Sequence, residues 1–235
     1  MGKTEMEQDR TVLVVGASRG LGLALATEWC GRGWHVVATV RTPSKPLEAL
    51  RSHHPGRLEV ETADILDPGS IEALRGRLDG RRLDVLFINA GIARSIEATP
   101  AILPETDFVD MMRTNALAPV RAIEILEGLV SADGVVAVMS SELGSIAQND
   151  NPQWQGYAAS KAALNMLMKG FATRHPGDPR ALLLLAPGWV RTEMGGSDAA
   201  LSVEESIPHV VDTVDANRGR PGLRYLDRFN TTLPW

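Results

Sequence analysis

Thr11-Val-Leu-Val-Val-Gly16-Ala-Ser-Arg-Gly20-Leu-Gly22 decides the fold. Its first five residues are apolar and mostly β-branched, the pattern of a strand buried on both faces of a parallel sheet. Three glycines follow directly. After them Leu21, Leu25 and Trp29, with Ala24 and Ala26 between, repeat at helical spacing up to Gly31-Arg-Gly33. Strand, glycine turn and helix in that order form a dinucleotide-binding arrangement. Glycine lets the backbone bend sharply and approach a pyrophosphate, whose charge then sits at the positive end of the helix. The glycines are spaced by three residues and then one, where the commoner spacing is one and then two. A strand-to-helix turn without a ligand has the same pattern, so the turn alone does not fix a function.

Strand patterns fall at 11–16, 34–40, 57–62, 83–88, 134–139, 180–186 and 223–226. Helical patterns fall near 20–31, 46–53, 69–79, 105–130, 155–174 and 203–217. Such alternation predicts an α/β fold, a doubly wound parallel sheet (Rossmann fold) of about seven strands with helices on both faces. There is no repeat, low-complexity tract or linker, so one domain over 1–235 is expected, with residues 1–10 as a flexible start. A chain of 235 residues with 44% hydrophobic and 23% charged residues can bury a sizeable core. The net charge of −5, with no block of Lys or Arg, argues against a nucleic-acid partner. No apolar run approaches the ~20 residues of a membrane span. The polar start Met1-Gly-Lys-Thr lacks the apolar core of a signal peptide. Cys30, the only cysteine, excludes an intrachain disulfide and suits a reducing cytoplasm; it reads as a small packed residue.

A second stretch, Gly156-Tyr-Ala-Ala-Ser-Lys-Ala-Ala-Leu-Asn165, places Tyr157 and Lys161 one turn apart on one helix face. A cation beside a phenol stabilises the phenolate and brings its proton within reach of neutral pH. Further segments follow strand ends in order: Ile88-Asn-Ala-Gly91, Ser140-Ser-Glu-Leu-Gly144 and Pro187-Gly-Trp-Val-Arg-Thr192, with Asn115 inside the 105–130 helix. In a doubly wound sheet these positions converge beyond the carboxyl ends of the strands.

Taken together, these motifs resemble the short-chain dehydrogenase/reductase family over nearly the whole chain, and within it the C-factor/sniffer-like carbonyl reductases. The subgroup rests on Gly144-Ser-Ile146, on Pro187 to Gly196 and on the ending Tyr225-Leu-Asp … Thr-Leu-Pro-Trp235. The resemblance implies a catalytic set of Asn115, Ser141, Tyr157 and Lys161. Tyr157 would be the general acid/base and Ser141 would polarise the substrate oxygen. Lys161 would bind ribose and depress the Tyr157 pKa, and Asn115 would hold a relay water through a kinked helix. Ser140 and Ser145 are alternatives to Ser141, which alone opens a Ser-x-x-Gly phrase directly after the strand. Two departures from the family pattern stand out. Ser141 precedes Tyr157 by sixteen residues, a few more than usual, and Val15 stands where a turn-pinning Thr is common.

The cofactor set implied is Gly16, Ser18, Arg19, Gly20, Leu21, Gly22, Arg41, Asp64, Ile65, Asn89, Ala90, Gly91, Tyr157, Lys161, Pro187, Gly188, Val190 and Thr192. The second strand ends in Arg41, not in an Asp or Glu that would accept from a ribose 2′-hydroxyl. A guanidinium there forks onto a 2′-phosphate, and Arg19 adds a second cation, so NADP(H) is favoured over NAD(H). Asp64 resembles the residue that accepts from the adenine amino group, with a loop acid as the rival reading. Thr192 and the Val190 backbone would anchor the carboxamide.

The carbonyl reductases that the chain resembles have a short lid after the carboxamide segment, and Gly195 to Ser202 is equally short, so the resemblance implies an open pocket lined by Ile92, Leu143, Trp154, Trp189 and Met194. The expected substrate is a small apolar carbonyl or alcohol compound, and no metal is called for. A nucleotide-binding signalling protein with little turnover is the alternative, disfavoured because a pure binder has no need of Tyr157. A lyase or dehalogenase on the same fold is disfavoured by the intact glycine turn and Lys161. The resemblance also implies that helices 105–130 and 155–174 pair with a partner's copies across a two-fold axis, giving a homodimer or homotetramer.

Overall fold

The computed structural model describes residues 10–235. Its strands are β1 (Thr11–Val15), β2 (His35–Val40), β3 (Leu58–Thr62), β4 (Leu83–Ile88), β5 (Val130–Met139), β6 (Ala181–Ala186) and β7 (Gly222–Asp227). They form one sheet in the order β3-β2-β1-β4-β5-β6-β7, and every neighbouring pair is parallel. The helices are α1 (Gly20–Gly31), α2 (Lys45–His53), α3 (Pro68–Arg77), α4 (Glu105–Met112), α5 (Ala118–Leu126), α6 (Gln155–Arg174) and α7 (Val203–Ala216).

Period-two alternation along the strands divides the core between two faces. Val12 and Val14 of β1, with Phe87 of β4, pack with Trp29 of α1, Leu47 of α2 and Val210 of α7. Leu13 and Val15 join the opposite layer with Ile71 of α3, Ile123 of α5 and Phe171 of α6. Each such fully buried side chain contributes about 1.5–3 kcal/mol of transfer free energy. Because both faces are covered, the strands read as continuous apolar runs, the reading made from 11–15. Strand order reverses between β1 and β4, which puts the expected cleft at the carboxyl ends of those two strands.

Helices 20–31 and 155–174 and strand 83–88 fall as expected. β5 starts earlier, at Val130, and its pairing with β4 shifts register between Leu83 and Val85. The expected helix 105–130 is four pieces: α4, a π-helical turn Arg113–Leu117, α5 and a 3-10 turn Glu127–Leu129. Of the expected flexible start, residues 1–9 lie outside the described residues. Arg10 is held: its carbonyl accepts from His35 N at 2.8 Å and its guanidinium lies 5.5 Å from the Trp34 ring centroid. Cys30 is buried, and desolvation pushes its thiol up to about 11, which agrees with a packed residue. No helix among the described residues is long and apolar enough to cross a membrane.

Candidate active site

The glycine turn is fixed by its neighbours. Gly16 has φ +90°, and a Cβ there would come 2.9 Å from the Ala90 Cβ. A Cβ on Gly22 would stand 2.0 Å from the Gly16 carbonyl oxygen and 2.6 Å from Asn89 Nδ2. Asn89 Nδ2 donates to Gly16 O at 2.9 Å, while the backbone N–H groups of Asn89 and Ala90 donate to Val15 O at 3.0 and 3.1 Å. The hydroxyl that Val15 lacks comes from β2: Thr39, 1% exposed, accepts from Gly16 N at 3.0 Å. Only strand pairing brings Thr39 there, so no local signal marked it.

Arg19, at the N-cap of α1, makes no side-chain cap, and no acidic residue sits in the first turn. The helix therefore keeps amide donors and its positive end available to an anion, which fits a pyrophosphate. Ser18 lies in the same turn, and its carbonyl accepts from Ser44 Oγ at 2.7 Å. Leu21 is partly buried at the start of α1.

The two expected phosphate-binding cations differ. Arg41 is exposed after β2 and has no side-chain partner among the described residues. Arg19 is instead ion-paired with Glu193 from the segment after β6, both side chains standing in solvent. Asp64 uses Oδ1 to accept from Leu66 N at 3.0 Å, as a loop acid does, leaving its other oxygen free of a hydrogen bond among the described residues. Ile65 is buried in the core against α3.

At the centre, Lys161 is 3% exposed and its Nζ donates to Met139 O at 2.8 Å. Desolvation pulls its pKa down to about 8. The ammonium lies 5.6 Å from the Tyr157 ring centroid. Tyr157 is partly buried, and desolvation pushes its pKa up to about 12, opposed by a hydrogen bond with the Ser141 side chain. The expected depression of the phenol by Lys161 is thus absent here, because the ammonium is bonded to the β5 carbonyl and dry surroundings disfavour the phenolate.

Ser141 caps the 3-10 turn Glu142–Gly144, its Oγ accepting from Leu143 N at 3.2 Å. Its two rivals face inward. Ser140 Oγ donates to Asn165 Oδ1 at 2.8 Å, and Ser145 Oγ is buried with no hydrogen-bond partner among the described residues. Asn115 sits in the π turn, where Oδ1 accepts from Ile92 N and Nδ2 donates to Ile92 O, both at 2.8 Å. Nδ2 also donates to Ser160 Oγ at 2.9 Å, and Ser160 Oγ donates to Tyr157 O at 2.6 Å. A Cβ on Gly91 would lie 3.3 Å from Asn115 Oδ1 and 3.7 Å from Lys161 Nζ, so the β4 turn abuts the catalytic set.

Pro187 is buried, its carbonyl accepting from Ser206 Oγ at 2.7 Å. Gly188 has φ +82° and leaves no room for a Cβ beside Arg228 and Leu201. Val190 bridges to Leu201, and Thr192 Oγ1 accepts from Gly195 N at 3.0 Å. A Cβ on Gly20 would lie 3.8 Å from Thr192, so this segment faces the glycine turn.

Among the expected pocket residues, Trp154 meets the Tyr157 ring edge-on, 5.6 Å between centroids at 76°. Ile92 and Leu143 flank Asn115 and Ser141 through the bonds above. Trp189 and Met194 are exposed, and the Trp189 indole donates to Gly195 O at 2.9 Å. Neither makes a described contact with the catalytic set.

A family model described as short chain dehydrogenase matches residues 10–200. A solved protein of Burkholderia multivorans with bound NADP is 52% identical, with a TM-score of 0.94 over 97% of this chain and 100% of that one. A carbonyl reductase from Pseudomonas aeruginosa PAO1 in complex with NADP is 42% identical, with a TM-score of 0.90 over 96% of this chain and 99% of that one. The C-signal of Myxococcus xanthus is 36% identical over 158 residues, 65% of this chain and 93% of that protein. These similarities fall in the C-factor/sniffer-like group indicated by the motifs. With most of its length matched and its sheet built in the same manner as these relatives, the chain is a member of the short-chain dehydrogenase family.

Proposed function

We propose that this protein is an NADP(H)-dependent oxidoreductase that interconverts a small apolar carbonyl compound and its alcohol. The observation that supports this most is the meeting of Tyr157 with Ser141, one helical turn from the buried ammonium of Lys161. The turn from Gly16 to Gly22 would hold NADP(H), which would supply or accept the hydride. Tyr157, protonated across the working range, donates its proton to the substrate oxygen during reduction. Ser141 Oγ donates a hydrogen bond to that oxygen and polarises it. Lys161, cationic below about pH 8, would hold the nicotinamide ribose hydroxyls beside the phenol. Asn115 and Ser160 clamp the β4 turn to α6, which fixes the distance between cofactor floor and tyrosine.

Arg41 favours a 2′-phosphate, since its guanidinium has no competing partner among the described residues and no acidic residue replaces it at the strand end. The relatives solved with NADP, one of them a carbonyl reductase, agree with both halves of the reading. The test is NADPH consumption by the purified protein with a panel of aldehydes, ketones and quinones. Turnover with several members is expected; saturable NADPH binding without consumption across the panel would contradict the proposed reaction.

A further inference from the structure

Tyr225, on β7, is 1% exposed, and its hydroxyl donates to the main-chain carbonyl of Ser141. Ser141 is 84 residues away in the chain and is the residue whose side chain meets Tyr157. It stands in extended backbone at the hinge between β5 and the 3-10 turn Glu142–Gly144. Its side-chain direction therefore depends on how that one peptide is held. Asn165 of α6 holds the turn from the other side, accepting from Ser140 Oγ at 2.8 Å and donating to Gly144 O at 3.2 Å. Gly144 allows this closeness, since a Cβ there would lie 3.0 Å from the Lys161 Cβ.

Tyr225 is itself braced. Leu233 N donates to Tyr225 O at 2.9 Å, and the Trp235 ring lies 5.5 Å from the Tyr225 ring at 34°. The Trp235 carbonyl then accepts from Ala147 N at 3.1 Å, which ties the same segment back to the loop following the serine turn. Burial pushes the Tyr225 phenol up to about 12, so it remains a donor throughout the working range.

We propose that Tyr225, braced by Leu233 and Trp235, is a positioning residue that aims the Ser141 hydroxyl at the reacting oxygen beside Tyr157. A purely structural tyrosine would be satisfied by any acceptor. This one holds the peptide of the polarising serine, where a displacement of about 1 Å is enough to lower a rate a hundredfold. The inference rests on the role given to Ser141 above, so the test keeps the two apart.

The kcat for NADPH-dependent reduction of phenanthrenequinone, or of the best substrate in the panel, is measured for wild type, Ser141→Ala, Tyr225→Phe and the double variant. NADPH affinity is followed by fluorescence titration. The expected result is a loss in kcat of about tenfold for Tyr225→Phe, NADPH affinity within about twofold of wild type, and less than about twofold further loss when Tyr225→Phe is added to Ser141→Ala. Equal fractional losses in both backgrounds, or an undiminished kcat in Tyr225→Phe, would overturn the inference while leaving the serine assignment standing. A wild-type kcat in Ser141→Ala would overturn the serine assignment and this inference with it. Should Tyr225→Phe fail to fold, Trp235→Ala, which removes a half-exposed ring, is read in the same cycle, with about a threefold loss expected only while Ser141 is present.

Discussion

Lys161 places a formal charge where almost no water reaches it, with the Met139 carbonyl as its one hydrogen-bond partner among the described residues. Its folded-state pKa of about 8 lies below the ~10.4 of an unfolded lysine. Below pH 8 both states are protonated, and the folded protein bears the cost of burying the cation. As pH rises from 8 toward ~10.4 the unfolded chain holds more protons, so stability rises. Lys161→Met should therefore raise the unfolding free energy by about 1–3 kcal/mol at pH 7, with the gain shrinking by pH 10. Urea titrations at the two pH values check this, and a destabilised variant at pH 7 would contradict it. At the same scale, Arg41→Asp should move the ratio of kcat/KM for NADPH over NADH at least tenfold toward NADH, since a carboxylate repels the 2′-phosphate and accepts from a hydroxyl. Unchanged cofactor preference would remove Arg41 from that role. Arg41 was readable in the sequence because a single strand end fixes its place. The pairing of Arg19 with Glu193 was not, because it spans the cleft between two remote loops.

At the scale of elements, the site depends on one continuous helix and one interrupted helix. α6 runs unbroken over 155–174, so the four-residue spacing of Tyr157 and Lys161 could be read directly as a shared face. The resemblance implies a kink at Asn115 but not its form: apolar periodicity continues through 105–130, and the break is the π turn Arg113–Leu117. Pro119 is the local cause that could have marked it. A regular helix would direct the N–H of residue 119 to the Asn115 carbonyl, and proline has no N–H. Pro119→Ala supplies that donor, which should regularise the turn and draw Asn115 away from Ile92. We expect kcat to fall severalfold while the midpoint of thermal unfolding stays level or rises, measured by steady-state kinetics and calorimetry. An unchanged kcat would mean that the π turn does not matter for the reaction.

For the whole molecule, the parallel sheet and the two-sided core follow from short apolar runs alternating with helices, which is why the fold class was legible, whereas the strand order β3-β2-β1-β4-β5-β6-β7 is not set by that alternation. Contacts such as Tyr225 to Ser141 were not legible, since sequence spacing says nothing about which loops meet at a strand edge. The surface of the helix pair expected in assembly is only partly apolar. Met166 is 71% exposed and Leu117 and Leu167 are also exposed, but Met168 is buried in the core. We propose that Met166, Leu167 and Leu117 pair with a second copy; Met166→Glu should then shift the mass seen by light scattering toward the monomer, whereas an unchanged mass would place any interface elsewhere. The proposed reaction requires the Tyr157 phenol to give and take the substrate proton beside a bound dinucleotide. Its most direct test is Tyr157→Phe, read by turnover and NADPH titration together. Turnover should fall by about a hundredfold or more with NADPH affinity nearly unchanged; a variant that keeps its wild-type rate would contradict the account.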